Sequence, residues 1–288
     1  MVPVELILLV LSPVFLVFIA WEWYRARKQT PAIYRWQDTA ANAVLALMHQ
    51  GSDMLALLLL MPFFLWLYQF RLFDIELSAA MVAVAFLLQD FLYYWFHRAS
   101  HHIRWLWASH VAHHSSRQMN FSTAFRQSLT YPISGMWLFW TPMILLGFPP
   151  TLVFAVVALN LAFQFFVHTQ AVKNLGLIEW IFNTPSHHRV HHACNPLYID
   201  KNFAGVLIIW DRLFGTFVKE RADEPCRYGI TDDFSSDNPL TITFYEWRRM
   251  LKDSKNSGSV RQLIGVLFGA PSRHNSVNPP GSDAPPTA

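Results

Sequence analysis

Four stretches of this chain are apolar for long enough to matter in lipid: residues 4–24, 40–68, 77–96 and 129–167. About 20 apolar residues suffice for a helix to cross a bilayer. The first stretch ends in Trp21, Trp23 and Tyr24, followed by Arg25, Arg27, Lys28 and Arg35. An aromatic belt with a basic flank marks the cytoplasmic end of a span. The stretch has no positive leader and no small-residue cleavage site, so it reads as an anchor. The loop 71–76 turns the chain back into the third run. The fourth stretch is broken at Gly147-Phe148-Pro149-Pro150, which reads as a helical hairpin that goes out and returns.

The expected fold is therefore all-α and integral to the membrane, with about four to five embedded helices and a cytoplasmic, histidine-rich helical cap. Three regions are expected: N-terminal membrane helices over 1–76, a catalytic region over 77–220, and a polar C-terminal segment over 221–288. Residues 245–252 suggest a short amphipathic surface helix. From about 271, Pro, Ser, Gly and Asn dominate and disorder is expected.

Composition sharpens this picture. Of 288 residues, 53% are hydrophobic and 14% charged, against about a quarter charged in soluble domains. The net charge of +3 comes without a basic block, which argues against nucleic acid as a partner. Cys194 and Cys226 have no metal-site spacing.

Histidine is the anomaly. Of thirteen, eleven fall between His97 and His192. They form His97-Arg98-Ala99-Ser100-His101-His102, His110-Val111-Ala112-His113-His114 and His187-His188-Arg189-Val190-His191-His192, with His168 alone between. Residues three and four apart share a helix face. His97 with His101, His110 with His113 and His114, and His188 with His191 and His192 can thus each aim at one point. His102 and His187 lie about 100° off those faces. Clustered imidazoles without a metal would suffer desolvation and mutual repulsion when protonated. Eight or more such ligands exceed what one metal uses, which points to two. The tracing of the apolar runs puts every cluster on one side of the membrane, although that tracing used only Arg and Lys.

The expected metal ligands are His97, His101, His102, His110, His113, His114, His168, His187, His188, His191 and His192. Sequence alone leaves the metal open, since neutral imidazole suits iron, zinc, copper and nickel. A zinc hydrolase would normally place a glutamate between paired histidines, and none stands there. A metal transporter would set its polar groups near mid-membrane, whereas these lie past the helix ends. Both remain as alternatives. Asp90, inside the third apolar run, is expected to accept a hydrogen bond from a cluster histidine, since a carboxylate in lipid needs a partner. His49 and Asp53 pair or line a polar path. Asn195, Asp200, Lys201, Asn202, Asp211 and Arg212 surround the last cluster and can cap helices or orient rings.

The three boxes resemble those of the fatty acid hydroxylase/sterol desaturase superfamily over about residues 90–217. The phrases His113-His114-Ser115-Ser116, Ser122-Thr123-Ala124-Phe125-Arg126-Gln127-Ser128, Thr184-Pro185-Ser186-His187-His188-Arg189-Val190-His191-His192, Asp200-Lys201-Asn202-Phe203 and 208–217 are similar to its alkylglycerol monooxygenase-like branch. The resemblance implies two irons, a lipid substrate attacked with O2, and hydroxylation or desaturation as the outcome. It also implies an electron donor, either tetrahydrobiopterin or an external electron-transfer protein. No protein acid or base is required beyond the metal ligands. That branch carries a glutamate where this chain has His102, and this chain is short beyond Phe217.

Overall fold

A computed structural model describes residues 4–28 and 32–271, with the side chains of 4–9 left aside. The tail expected to be disordered lies, from residue 272, outside the described residues. The described residues form helices and contain no strand, only isolated bridges such as Phe182 with Leu207.

The first apolar run is α1 (Val4–Ala26) and the second is α2 (Trp36–Tyr68). At 33 residues α2 is about 50 Å long, more than a hydrocarbon core of about 30 Å requires. The excess is used at its N-terminal end, where Asp38 and Asn42 are buried in a polar layer. Further along, Leu47, Met54, Leu55, Leu58 and Leu59 are exposed. The third run is α3 (Ala79–His102), started by Ser78, whose hydroxyl accepts from the Met81 amide. It does not stop at Phe96 but continues through His97 and His101. Ile103 then adopts an extended backbone, and the chain restarts as α4 (Arg104–His114). By length and composition α2 and α3 can each cross a membrane.

The hairpin breaks where expected. Gly147 sits at φ +120°, and a Cβ there would lie 2.1 Å from the Phe73 carbonyl oxygen, so only glycine fits. Its outgoing limb is not one helix. It runs as α5 (Tyr131–Ser134), a 3-10 turn at Met136–Trp140 and α6 (Thr141–Leu146). Gly135, left-handed at φ +80°, ends the first piece, and Pro142 restarts the last. The return limb is α7 (Pro150–Phe165), whose 16 residues reach about 24 Å.

Beyond it come α8 (Pro185–His192), α9 (Ile209–Leu213), α10 (Pro239–Lys255) and α11 (Val260–Phe268). The expected surface helix is α10, capped by Asn238 and longer at both ends. Its buried Ile242, Glu246 and Met250 pack toward α4. Glu246 accepts from Arg104 at 2.7 Å, with both side chains buried. The main apolar core lies between α3, α6 and α7, around Trp140, Met143, Ile144, Val153 and Val156. Four segments, α3, α4, α8 and the loop at His168, thus end on one shared volume.

Candidate metal centre

Nine histidines converge there, in two groups. Ring nitrogens of His97, His101, His110, His114 and His191 lie within 4.8 Å of one another, as do those of His113, His168, His188 and His192. All nine are buried. The groups adjoin: the His114 and His192 rings stack with centroids 4.4 Å apart. The boxes do not each serve one point, as their spacing suggested. On α4, His110 and His114 face the first group and His113 the second. On α8, His188 and His192 face the second and His191 the first. A step of four keeps two rings together on a helix, whereas a step of one or three turns a ring to the neighbouring group.

Two expected ligands are not brought to either group. His102 is exposed, and its Nδ1 lies 2.8 Å from the Arg98 carbonyl. His187 is buried but faces Glu179 at 3.9 Å and the Phe217 ring. Both sit a turn-fraction off the converging faces, and that offset carries them away.

The contacts within each group test whether a cation fits. An imidazole nitrogen offers one in-plane site, holding either a proton or a lone pair. Yet Nε2 of His110 lies 3.0 Å from that of His97 and 3.1 Å from that of His114. Nε2 of His114 also lies 3.1 Å from that of His191. In the second group, Nε2 of His168 is 3.2 Å from His113 and 2.9 Å from His188. One proton cannot serve two neighbours. A cation among the lone pairs can serve all of them.

The far side of several rings fixes the tautomer this requires. Nδ1 donates to backbone carbonyls: His97 to Phe203 at 2.8 Å, His168 to Gln164 at 2.7 Å and His191 to Lys201 at 3.0 Å. Their Nε2 atoms are then lone-pair donors facing inward. His110 Nδ1 meets the Tyr131 hydroxyl at 2.6 Å. His101 Nδ1 lies 3.4 Å from the Asp200 carboxylate.

The loop that supplies two of those carbonyls is held by Asp200, Asn202 and Asp211. Asp200 and Asn202 adopt left-handed backbone at φ +58° and +56°, a conformation Asp and Asn tolerate better than most. The Asn202 amide donates to the His187 and Val218 carbonyls. Asp211 accepts from the Phe203 and Ala204 amides, each at 2.8 Å, and burial raises its pKa to about 6.

Asp90 overturns the expectation placed on it. Its carboxylate touches no histidine. It accepts from the amides of Val206 and Leu207, from Trp210 Nε1 and from Asn160, at 2.8–3.0 Å. The seven-residue step to His97 is about 10 Å along the helix, beyond a short side chain's reach. Asp90 therefore anchors the end of the loop whose Phe203 carbonyl orients His97. The nearby cations of α3 and α4 find other partners: Arg98 donates to Tyr94, and Arg104 pairs with Glu246 and Asp253. His49 and Asp53 do pair, at 3.3 Å.

Arg126 holds the opposite wall and had no role in the sequence reading. Fully buried, it donates to Asn42, Asp38, Ser115 and the Ala112 carbonyl, while its own carbonyl accepts from His113. A lone arginine in a segment of hydroxyl and apolar residues was the available signal. The carbonyl partners of the other rings carry none, because every residue has one.

Burial holds His110, His113, His114, His188, His191 and His192 well below the usual imidazole range, with neighbouring imidazoles adding to the effect. His168 is lowered by burial to about 4. The rings are thus neutral at pH 7, the form that binds metals. In metal-free protein, acid should protonate the unfolded chain near pH 6.5 before the folded one. Stability is then full above about pH 6.5 and falls as the pH drops toward 4. Thermal midpoints of the metal-free protein should decrease from pH 7 to pH 5. Equal midpoints would mean that these rings are not desolvated.

An opening of about 40 Å³ reaches His101, His114, His191 and His192 past Trp107, Asp200 and Ile230.

Known proteins share this region. Residues 82–216 match the fatty acid hydroxylase family. Alkylglycerol monooxygenase of Danio rerio is 51% identical over 171 residues, 58% of this chain and 37% of that protein. The Homo sapiens protein of that name is 50% identical over 162 residues, 56% of this chain and 35% of its own length. Ornithine lipid hydroxylase OlsE of Rhizobium tropici is 28% identical over 153 residues, 53% of this chain and 46% of that protein. The matched stretch spans little more than a third of the alkylglycerol monooxygenases. No solved structure matches the chain. Over residues 82–216, which hold all nine converging histidines, the chain carries the fatty acid hydroxylase pattern in a form similar to the alkylglycerol monooxygenases.

Proposed function

We propose that this protein is a membrane-bound, di-iron monooxygenase that hydroxylates a C–H bond of a lipid. The observation that carries the reading is the pair of adjoining, all-histidine groups whose Nε2 atoms face one another with no proton able to satisfy them. His97, His101, His110, His114 and His191 would hold one iron, and His113, His168, His188 and His192 the other. Bound there, iron supplies the activation of O2 needed to attack an unactivated C–H bond. The rest is the work of the chain. Backbone carbonyls of Phe203, Gln164 and Lys201 keep the rings in the ligating tautomer. Burial keeps them neutral.

The balanced reaction takes the lipid C–H, O2, two electrons and two protons to the alcohol and water. The electrons come from tetrahydrobiopterin or from an electron-transfer protein. The three named relatives are two monooxygenases and a hydroxylase by name, which favours hydroxylation over desaturation. Five imidazoles in one group exceed the three protein ligands and one water of a catalytic zinc site, which weighs against a zinc hydrolase. A transporter would set its polar groups at mid-membrane along a path, whereas these rings gather at and beyond the end of α3. The histidine side is cytoplasmic, as the basic flank of α1 indicates.

Purified, reconstituted protein should contain two irons per chain and consume O2 with an alkylglycerol when supplied with reduced pterin. Ornithine lipid is the next substrate to try. Chelation should abolish turnover, and iron should restore it. One iron or none after reconstitution would sink the dinuclear reading. Zinc-supported hydrolysis would replace the reaction class.

A further inference from the structure

A second apolar surface belongs to none of the long helices. In the 3-10 turn Gly176–Trp180 and just after it, Leu177 is 85% exposed, Trp180 65%, Ile178 54% and Ile181 52%. Leu213 at the end of α9 is 68% exposed. A contiguous apolar patch marks a contact surface. In the sequence this segment follows the hairpin and reads as part of the polar-side cap.

Its depth places it elsewhere. Phe182 bridges Leu207, and the Ile208 amide donates to the Ile181 carbonyl at 2.9 Å. The adjoining Val206 and Leu207 amides and Trp210 are tied to Asp90. Asp90 lies twelve residues before the end of α3 at His102, about 18 Å along the helix axis. Phe91 and Trp95 of α3 pack against Trp210 and Phe214, at 5.1 and 4.9 Å between centroids. The patch is therefore level with the interior of an apolar, membrane-length helix, not with its end. Its cation is turned back: Arg212 lies over the Trp180 and Phe217 rings and donates to the Glu179 carbonyl.

We infer that residues 175–182 together with Leu213 form a re-entrant wedge that sits in the acyl region of the bilayer beside α3. The surface it meets is lipid hydrocarbon, not water and not a second copy of the chain. This rests on the membrane reading of α2 and α3. It also puts acyl chains beside the loop that orients His97.

Nitroxide labels at Leu177→Cys and Trp180→Cys test it, in protein with Cys194→Ser and Cys226→Ser reconstituted into phosphatidylcholine vesicles. Leu58→Cys on the exposed face of α2 is the lipid reference, and Lys252→Cys on α10 is the water reference. Collisions with O2, which concentrates in hydrocarbon, are compared with collisions with a water-soluble nickel chelate. The labels at 177 and 180 should behave like the one at 58, with O2 collisions several-fold above nickel. Nickel access equal to that at 252 would put the wedge in water and overturn the inference. Low collision with both reagents would mean that protein covers it, which also overturns it. If the label at 58 itself meets nickel, the membrane reading of α2 fails, and the wedge with it.

Discussion

Replacing His191 by alanine is expected to reduce turnover by more than a hundredfold and to lower iron from two per chain to at most one. His191 is the α8 member of the five-histidine group, 3.1 Å from His114 across the site. Its Nδ1 is already committed to the Lys201 carbonyl, so its inward nitrogen has no role but to face the group. No other α8 histidine can take its place, since His188 and His192 point to the neighbouring group and His187 faces Glu179. Membrane insertion should be unchanged, because it depends on the apolar helices. His102→Ala is the matched control. That ring is exposed and outside both groups, so iron content and turnover should stay near those of the parent. Equal losses in the two variants would show that the convergence of rings is not what holds the metal.

The second large effect is expected at Asp90. An asparagine there keeps the shape but replaces one acceptor oxygen by an NH2 group. In one orientation that group would face the Val206 amide and Asn160, in the other the Leu207 amide and the Trp210 indole N–H. Hydrogen bonds to a charged acceptor are worth about 1.5–3 kcal/mol each, and a buried donor left unpaired costs about 1–3 kcal/mol. A destabilisation of about 3 kcal/mol or more is expected. The space is too tight for relaxation: a Cβ at Gly205 would already lie 2.6 Å from Asn160 and 3.0 Å from Asp90. As the loop loosens, the Phe203 carbonyl should cease to orient His97. Asp90→Asn should then melt earlier and retain less iron after dialysis against a chelator. Unchanged melting and iron retention would assign the hold on this loop to Asp211 alone.

The spacing of apolar residues and histidines was enough to predict an all-helical chain with helices long and apolar enough to cross a membrane, and a multi-histidine cluster. Both follow from local rules. A run of some twenty apolar residues is a helix in lipid because nothing else there satisfies its backbone. Histidines three or four apart share a face whatever surrounds them. The same local rules marked His102 and His187 as off-face, and the structure leaves both outside the two groups.

Tertiary structure alone decided how the rings are shared. Whether His113 joins His110 or His168 depends on where α4 sits relative to the His168 loop, and no spacing within α4 encodes that. The tautomers were equally hidden, because they are set by backbone carbonyls of Phe203, Gln164 and Lys201. A carbonyl has no sequence signature. Asp90 shows the limit most clearly. That a carboxylate in an apolar helix needs donors was a sound inference from its cost in lipid. Which donors it finds was settled by a loop 116 residues away in the chain, which only folding brings alongside.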